Sequence, residues 1–494
     1  VNGTGTPADG TQEDTVTRPP IDRRSVGLRS ERGPILGAVM LAIGLVAIDA
    51  TILATAVPSV VDDLGGFSQF PWLFSIYLLT QAVTVPLYGK FADVAGRKPM
   101  ILLGIAIFLL GSVLCAASWS MVSLIAFRAV QGIGAGAVLP IGQTIIGDIY
   151  SVAERSKVQG YLASVWAISS VVGPTLGGVF SDYLSWRWVF LVNVPLALAA
   201  MWVLGRRFSE KVVRRRHHID VAGAVLLAAG GSLLVLGLLE GGVAWAWSSA
   251  PGVAVLSTSV VLLVLFGLVE RRAAEPIMPL WVFRRRVLVG STAVSLLVGV
   301  MLIGLVSYVP LYAQGVLGTG ALQAGFAVAA LTLGWPISAA LAGRLYLRIG
   351  FRDTALIGTV VAITGATVLA TVGPDSVVPH LAGACFVIGL GMGLIAAPTL
   401  VAAQASADWS TRGVVTGTNV FARSVGSAVG VAVFGALVNA ELVRRTGSVQ
   451  KNLEGLPAAV LAPSVHQVFV GAVVVAVAMV LAARVIPRRV EYAD

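Results

Sequence analysis

One carboxylate stands alone inside an apolar run. Asp49 lies in Leu45-Val46-Ala47-Ile48-Asp49-Ala50-Thr51-Ile52, with no other charge near it in sequence. Placing an acid in hydrocarbon costs roughly 2.5–3.5 kcal/mol even on the lenient insertion scale, so such a residue is a functional candidate by default. The chemistry open to it is reversible proton binding. A carboxylate's proton affinity depends on its desolvation and on any nearby guanidinium, so a movement that changes either makes it load or release a proton. Two polar groups lie at a matching depth. Asp49 precedes Val57, at the outer end of its run, by eight residues, about 12 Å of helix. Arg128 and Asn193 each stand seven residues inside runs entered from that same side. Arg423, about eleven residues into a later run, is a further intramembrane base. It could pair with an acid, line an inner cavity or snorkel toward water. Tyr77, Gln81, Trp166, Tyr308, Gln314 and Trp335 are polar or aromatic groups within apolar runs. Each is a candidate for cavity lining, against the commoner role of packing or anchoring.

Other chemistries find no support. No Gly-x-x-x-x-Gly-Lys-Ser/Thr phosphate loop is present, because Phe91 follows Gly89-Lys90, so ATP-driven pumping is not expected. Cys115 and Cys385 lie far apart in apolar runs and read as inert buried thiols. His217, His218, His380 and His466 fall in or near loops without metal spacing. No metal, cofactor or enzymatic chemistry is expected.

The segments carrying these residues are membrane helices. Only 12% of the 494 residues are charged and 57% are hydrophobic, too little polar surface to coat a soluble fold of this size. A span needs about 20 apolar residues. Fourteen runs qualify, near 34–57, 70–89, 99–118, 121–143, 157–180, 186–205, 219–240, 251–269, 287–312, 322–343, 353–373, 378–403, 412–440 and 465–486. The first follows basic residues like a signal peptide, yet it is too long for one and is read as a span. The net charge of +10 does not indicate nucleic acid, because the bases recur between apolar runs rather than clustering on one face. With the N-terminus in the cytoplasm, 28 of the 34 Lys and Arg fall on the inner side. That asymmetry predicts both termini inside and an even number of spans.

The chain also repeats itself. Gly89-Lys90-Phe91-Ala92-Asp93-Val94-Ala95-Gly96-Arg97-Lys98 between the second and third runs is echoed by Gly343–Arg352 between the tenth and eleventh. Arg155 and Gly160 before the fifth run match Arg412 and Gly417 before the thirteenth, with the same spacing. Two six-span halves follow, with spans seven and eight inserted between them. Parallel repeats of this kind build transporters that rock around a central site. The expected organisation is a disordered cytoplasmic tail over 1–33, a six-helix bundle over 34–205, and an inserted helix pair with basic flanks over 206–286. A second six-helix bundle over 287–486 and a tail over 487–494 complete it.

The Gly89–Lys98 loop resembles the major facilitator signature Gly-x-x-x-Asp-x-x-Gly-Arg-Lys. Arg128-Ala129-Val130-Gln131-Gly132-Ile133-Gly134-Ala135-Gly136 is similar to that family's second motif, and Val172-Gly173-Pro174-Thr175-Leu176-Gly177-Gly178 to the motif associated with antiporters. Asp49-Ala50-Thr51-Ile52 with Ala56-Val57-Pro58, and Trp186-Arg187-Trp188 with Asn193-Val194-Pro195, resemble the fourteen-span branch of drug:proton antiporters. The resemblance covers nearly all of 34–486. It implies an all-α major facilitator fold of fourteen transmembrane helices in the cell membrane, a monomer moving lipophilic, often cationic, small molecules out by exchange with protons. Asp49 and Arg128 would form a proton-coupling pair facing the central cavity, with Asn193 at the same level. Gly89, Asp93, Gly96, Arg97 and Lys98 would form a cytoplasmic latch, with Asp93 facing the N-terminal end of span thirteen, and Asp148 and Arg155 would join it. Gly173, Pro174, Gly177 and Gly178 would make a bent, tightly packed span that resists proton leak. The second latch copy has Leu347 where the first has Asp93, which removes its ion pairing. Export of a specific endogenous lipid or metabolite on the same fold is the alternative, and a non-transporting sensor or scaffold a further one. A scaffold has no need of charges buried at matched depth.

Overall fold

The computed structural model describes residues 26–65, 72–210, 220–241, 245–273, 276, 278, 280–319, 321–447 and 457–488. Among these the chain is helical, with one isolated β-bridge between Gly241 and Trp245. In order the helices are α1 (Gly33–Leu64), α2 (Trp72–Ala95), α3 (Arg97–Ala116), α4 (Met121–Ile149), α5 (Val152–Tyr183), the short α6 (Trp188–Leu191), α7 (Asn193–Arg207), α8 (Val221–Glu240) and α9 (Ala250–Glu270). They continue with α10 (Arg286–Gly315), α11 (Ala321–Ile349), α12 (Phe351–Ala370), α13 (Val378–Ala405), α14 (Arg412–Thr446) and α15 (Ala458–Val485). Twelve spans among the described residues are long and apolar enough to cross a membrane, with α6 and α7 counted as one. The sequence reading expected fourteen. The two other long helices, α2 and α5, pack on α14 and α11, and each also leaves large apolar side chains exposed, Leu78 on α2 and Trp166, Ile168 and Val179 on α5.

Two bundles repeat one packing scheme. α4 packs on α2 and α3 in the first, as α13 packs on α11 and α12 in the second; α1 pairs with α5 as α10 pairs with α14. Small residues make these contacts possible. A Cβ on Gly134 would stand 2.2 Å from the Phe108 backbone nitrogen, and one on Gly391 would stand 2.6 Å from that of Ala362. The turns into α3 and α12 are the clearest mark of duplication. Each is a single glycine, Gly96 at φ 102° and Gly350 at φ 91°, in a region that a side chain would strain.

The bundles meet along two seams, α2 against α14 and α5 against α11. The inserted helix α8 lies over the first seam: Val235 clusters with Leu79, Ala82, Val83 and Ala428, and Leu227 packs with Leu87 and Phe421. α9 is the outermost layer, with Val253, Val260, Val261, Val264, Leu265 and Leu268 exposed, as lipid contact requires. The 1–33 tail departs from expectation at its end. Val26 is buried, its carbonyl accepts a bond from Lys157 Nζ at 3.1 Å, and Arg32 pairs with Glu154 at 2.6 Å over the Tyr150 ring. Residues 26–32 are therefore folded onto the α4–α5 corner; residues 1–25 and 489–494 of the two tails lie outside the described residues.

Candidate functional site

α1 delivers Asp49 to the interior of the first bundle, where α4 delivers Arg128. Arg128 Nη1 donates to Asp49 Oδ2 at 2.6 Å, and both side chains are 1% exposed. One turn along α4, Gln131 bridges the pair: its Oε1 accepts from Arg128 Nη1 at 2.7 Å and its Nε2 donates to Asp49 Oδ1 at 2.8 Å. α3 adds Ser112, whose Oγ lies 2.8 Å from Gln131 Nε2, and α7 adds Asn193, whose Nδ2 reaches Asp49 Oδ1 and Ser112 Oγ at 3.3 Å each. Arg128 Nε donates to the Leu73 carbonyl at 3.1 Å, and the guanidinium lies 4.1 Å from the Tyr77 ring centre. Five helices thus converge on one carboxylate.

This corrects the expected placement. The pair forms, but it faces the packed interior of its own bundle, not open space. Asn193 and Tyr77, read as cavity lining, are 0% and 2% exposed and belong to the same sealed network. The reason is polar satisfaction: a buried ion pair is tolerated only where further hydrogen bonds occupy its remaining lone pairs and protons. Among the described residues, Tyr77 Oη and Asn193 Oδ1 of this network have no hydrogen-bond partner. Gly173 of α5 also belongs here. A Cβ on it would stand 2.0 Å from Oγ1 of Thr51, two residues beyond Asp49, and Thr51 Oγ1 itself donates to the Ser169 carbonyl at 3.0 Å. Gly177 is buried on the same helix; the side-chain surroundings of Pro174 and Gly178 lie outside what is described.

A second cluster joins the two bundles at the end of the assembly that carries the α2–α3 turn. Asp93, near the end of α2, accepts from the first backbone N–H groups of α14, Gly413 at 2.9 Å and Val414 at 2.8 Å, where a helix N-terminus favours negative charge. Gly89 lets the helices touch: a Cβ there would stand 2.8 Å from the Gly413 carbonyl oxygen. Arg97, 0% exposed, binds Asp93 at 2.9 Å and Asp148 at 3.1 Å, donates to the Trp409 carbonyl and stacks 3.9 Å from that ring's centre. Asp148 also binds Arg412 of the second bundle at 2.7 Å. The backbone N–H groups of Arg97 and Lys98 are capped by Glu210 at 2.9 and 2.7 Å. Arg155 donates to the Gly147 and Tyr150 carbonyls at the end of α4 rather than to a carboxylate, and its Nη1 has no partner. The other seam carries a lighter version. Tyr346 Oη donates to the Val152 carbonyl at 2.7 Å, while Leu347 is 37% exposed.

Deeper in, Gln404 of α13 donates to the Gln143 carbonyl of α4 and to Thr416 Oγ1 of α14, each at 3.2 Å. Arg423 is partly exposed, with no ion-pair or hydrogen-bond partner for its guanidinium among the described residues. Gln81, Tyr308 and Trp335 are half-buried, Gln314 is exposed at the end of α10, and Trp166 is exposed on α5. On the outer side, bonds from the Trp186 indole at 3.0 Å and Arg187 at 2.8 Å hold the Asp63 carboxyl, beyond the apolar stretch of α1, below its usual range.

Sequence reasoning missed Gln131, Ser112, Glu210, Trp409 and Gln404. Gln131 had a signal, lying one helical turn after Arg128 on the same face. The others act through space, on partners remote in sequence.

Comparison with known proteins agrees with this architecture. The family model described as Major Facilitator Superfamily matches residues 39–431. Multidrug resistance protein 3 of Bacillus subtilis is 34% identical over 417 residues, covering 84% of this chain and 81% of that protein. The Multidrug transporter protein MdtP of the same organism is 33% identical, covering 84% and 76%. The Efflux pump dotC of Dothistroma septosporum is 33% identical, covering 84% and 73%. The crystal structure of the human organic anion transporter MFSD10 (TETRAN) shares the fold, with a TM-score of 0.62 at 16% identity over 90% of this chain and 99% of that one. Duplicated bundles, a family model that matches most of the chain and relatives named as multidrug transporters and efflux pumps lead to one conclusion: this chain belongs to the Major Facilitator Superfamily and is a membrane-embedded efflux transporter, not an enzyme.

Proposed function

We propose that this protein exports lipophilic small molecules across the cell membrane in exchange for protons, by alternating access, with both termini in the cytoplasm and fourteen helices in the bilayer. The reading places it in the fourteen-span drug:proton antiporter branch. One observation carries it: a single carboxylate at mid-membrane depth, Asp49, held by a guanidinium and two amides inside one bundle. A proton on Asp49 cancels its charge and leaves Arg128 as a buried cation without its counterion. That state is costly, so the first bundle shifts to an arrangement in which Arg128 finds water or another partner. Loss of the proton restores the pair. Coupling follows when proton and substrate favour opposite arrangements.

The latch supports the direction. Among the described residues the polar bonds between the two bundles cluster at the cytoplasmic end, from Asp93–Gly413 to Asp148–Arg412 and Tyr346–Val152. With that end shut, the outside is the accessible side, from which a proton drives the return step. The relatives' names, which include multidrug transporter and efflux pump, support small-molecule cargo. Export of an endogenous lipid is the second reading; the lipid-facing α9 beside the α2–α14 seam favours it.

The test is proton flux in vesicles carrying a trapped pH-sensitive dye, with wild type and Asp49→Asn compared under an imposed gradient. Proton movement that depends on added substrate and disappears in Asp49→Asn is expected. Substrate transport with no accompanying proton movement in the wild type would sink the antiport reading.

A further inference from the structure

We propose that Arg423 is a substrate-binding residue that holds an anionic group, so that the cargo consists of lipophilic anions; this rests on the export reading above.

The position of Arg423 follows from the faces of α14. Gly413, Gly417 and Ala428 lie against α2, and Phe421 lies against α8. Asn419 accepts from Ser295 of α10 at 2.9 Å, and Gly426 and Gly430 press on the same helix. α15 packs farther along α14, at Phe434, Val438 and Leu442, and a further face is marked by Thr416, which is bonded to Gln404 of α13, itself bonded to α4 of the other bundle. That is the seam between the bundles. Arg423 follows Thr416 by seven residues, two helical turns, and so lies on the same face about 10 Å deeper. Counted from Arg412 at the cytoplasmic end, it stands about 16 Å into a hydrocarbon core of about 30 Å. Among the described residues no large exposed apolar side chain occurs on α14 before Val433, so the stretch around Arg423 does not face lipid.

Three observations then converge. The guanidinium is a permanent charge at mid-depth. It has no carboxylate and no carbonyl acceptor among the described residues, although Arg97, Arg128 and Arg155 are each bonded to several. It stays partly exposed, on the face turned to the seam. The backbone at this point is fixed, since Gly299 of α10 has room for the Arg423 carbonyl only because it lacks a Cβ. A rigidly mounted, uncompensated cation between the halves is a site for a carboxylate, sulfonate or phosphate on an otherwise apolar molecule. A carboxylate that could offset a cationic cargo is not offered at this depth, because Asp49 is sealed against Arg128.

The test measures equilibrium binding to the full chain in lipid nanodiscs, with no gradient, relative to protein-free discs. Three lipophilic dyes serve as probes: anilinonaphthalene sulfonate (anionic), ethidium (cationic) and Nile red (neutral). Wild type is expected to favour the sulfonate. Arg423→Gln should weaken sulfonate binding about tenfold or more and leave Nile red unchanged, and Arg423→Lys should retain part of the preference. Because the Arg423 guanidinium has no hydrogen-bond or ion-pair partner among the described residues, the Gln variant should melt no lower than wild type. Ethidium bound as tightly as the sulfonate, no sulfonate binding, or sulfonate binding untouched by Arg423→Gln would each overturn the proposal. So would a large drop in melting temperature in both variants, which would make Arg423 structural. Binding selectivity of the expected form without proton flux in vesicles would instead overturn only the antiport reading.

Discussion

The two bundles share a backbone plan and differ in what they hide. The first encloses Asp49, Arg128, Gln131, Ser112 and Asn193 in one bonded network. The second encloses Val294, Met301, Leu305, Ile388, Met392, Phe469 and their neighbours, a core of apolar side chains. The same division holds at the cytoplasmic latch. The first bundle supplies the acids, Asp93 and Asp148; the second supplies a helix N-terminus and Arg412. Duplication therefore set the geometry, and divergence concentrated the titratable chemistry in one copy. On the proton-exchange reading, only the bundle held by an ion pair has a state that a proton changes.

The largest expected effect breaks the first interior. Arg128→Ala leaves Asp49 buried and unpaired and should destabilise the fold by roughly 3–5 kcal/mol. Replacing both, as Asp49→Asn with Arg128→Met, should cost far less than Arg128→Ala alone. Thermal melting of the purified proteins measures the difference, and equal costs would show that the pair does not dominate this interior. Next comes the latch. Asp93→Asn weakens the charged bonds to Gly413 and Val414, worth about 1.5–3 kcal/mol for charge-assisted hydrogen bonds. Spin labels on the cytoplasmic ends of α2 and α14 should then report a longer separation, and an unchanged distance would mean that apolar packing alone holds the seam. Gly89→Ala acts on the same contact sterically and should cost about 1–3 kcal/mol. Gly205→Ala, where a Cβ meets nothing within 4 Å, is its silent control. The smallest effect belongs to the second interior. Ile388→Val in the apolar core should lower stability by only about 1 kcal/mol and leave proton coupling intact.

Much of the fold is legible in the sequence because its causes are local. Run length marks spans, and the Gly96 and Gly350 turns expose the repeat. α2 is harder to read from hydropathy because part of its polarity serves a protein contact: Thr80 and Thr84 pack against Gly132 and Gly136 of α4. The site is legible in depth but not in direction. Constant helix rise puts Asp49, Arg128 and Asn193 at one level; nothing in the spacing says that they point into their own bundle. Glu210 shows the limit most clearly. It is an acid just past the α7 helix, and its role as the cap of α3 depends on a contact across more than a hundred residues.

The helix pair α8–α9 covers the α2–α14 seam, while the α5–α11 seam has no inserted helices over it. Within the plane of the membrane the molecule thus has a back and a front. A solute dissolved in the lipid leaflet meets a sheathed joint on one side and a bare joint on the other. On the export reading, a cargo that entered from the bilayer would find only the bare joint uncovered, and neighbouring proteins that crowd that side would throttle it.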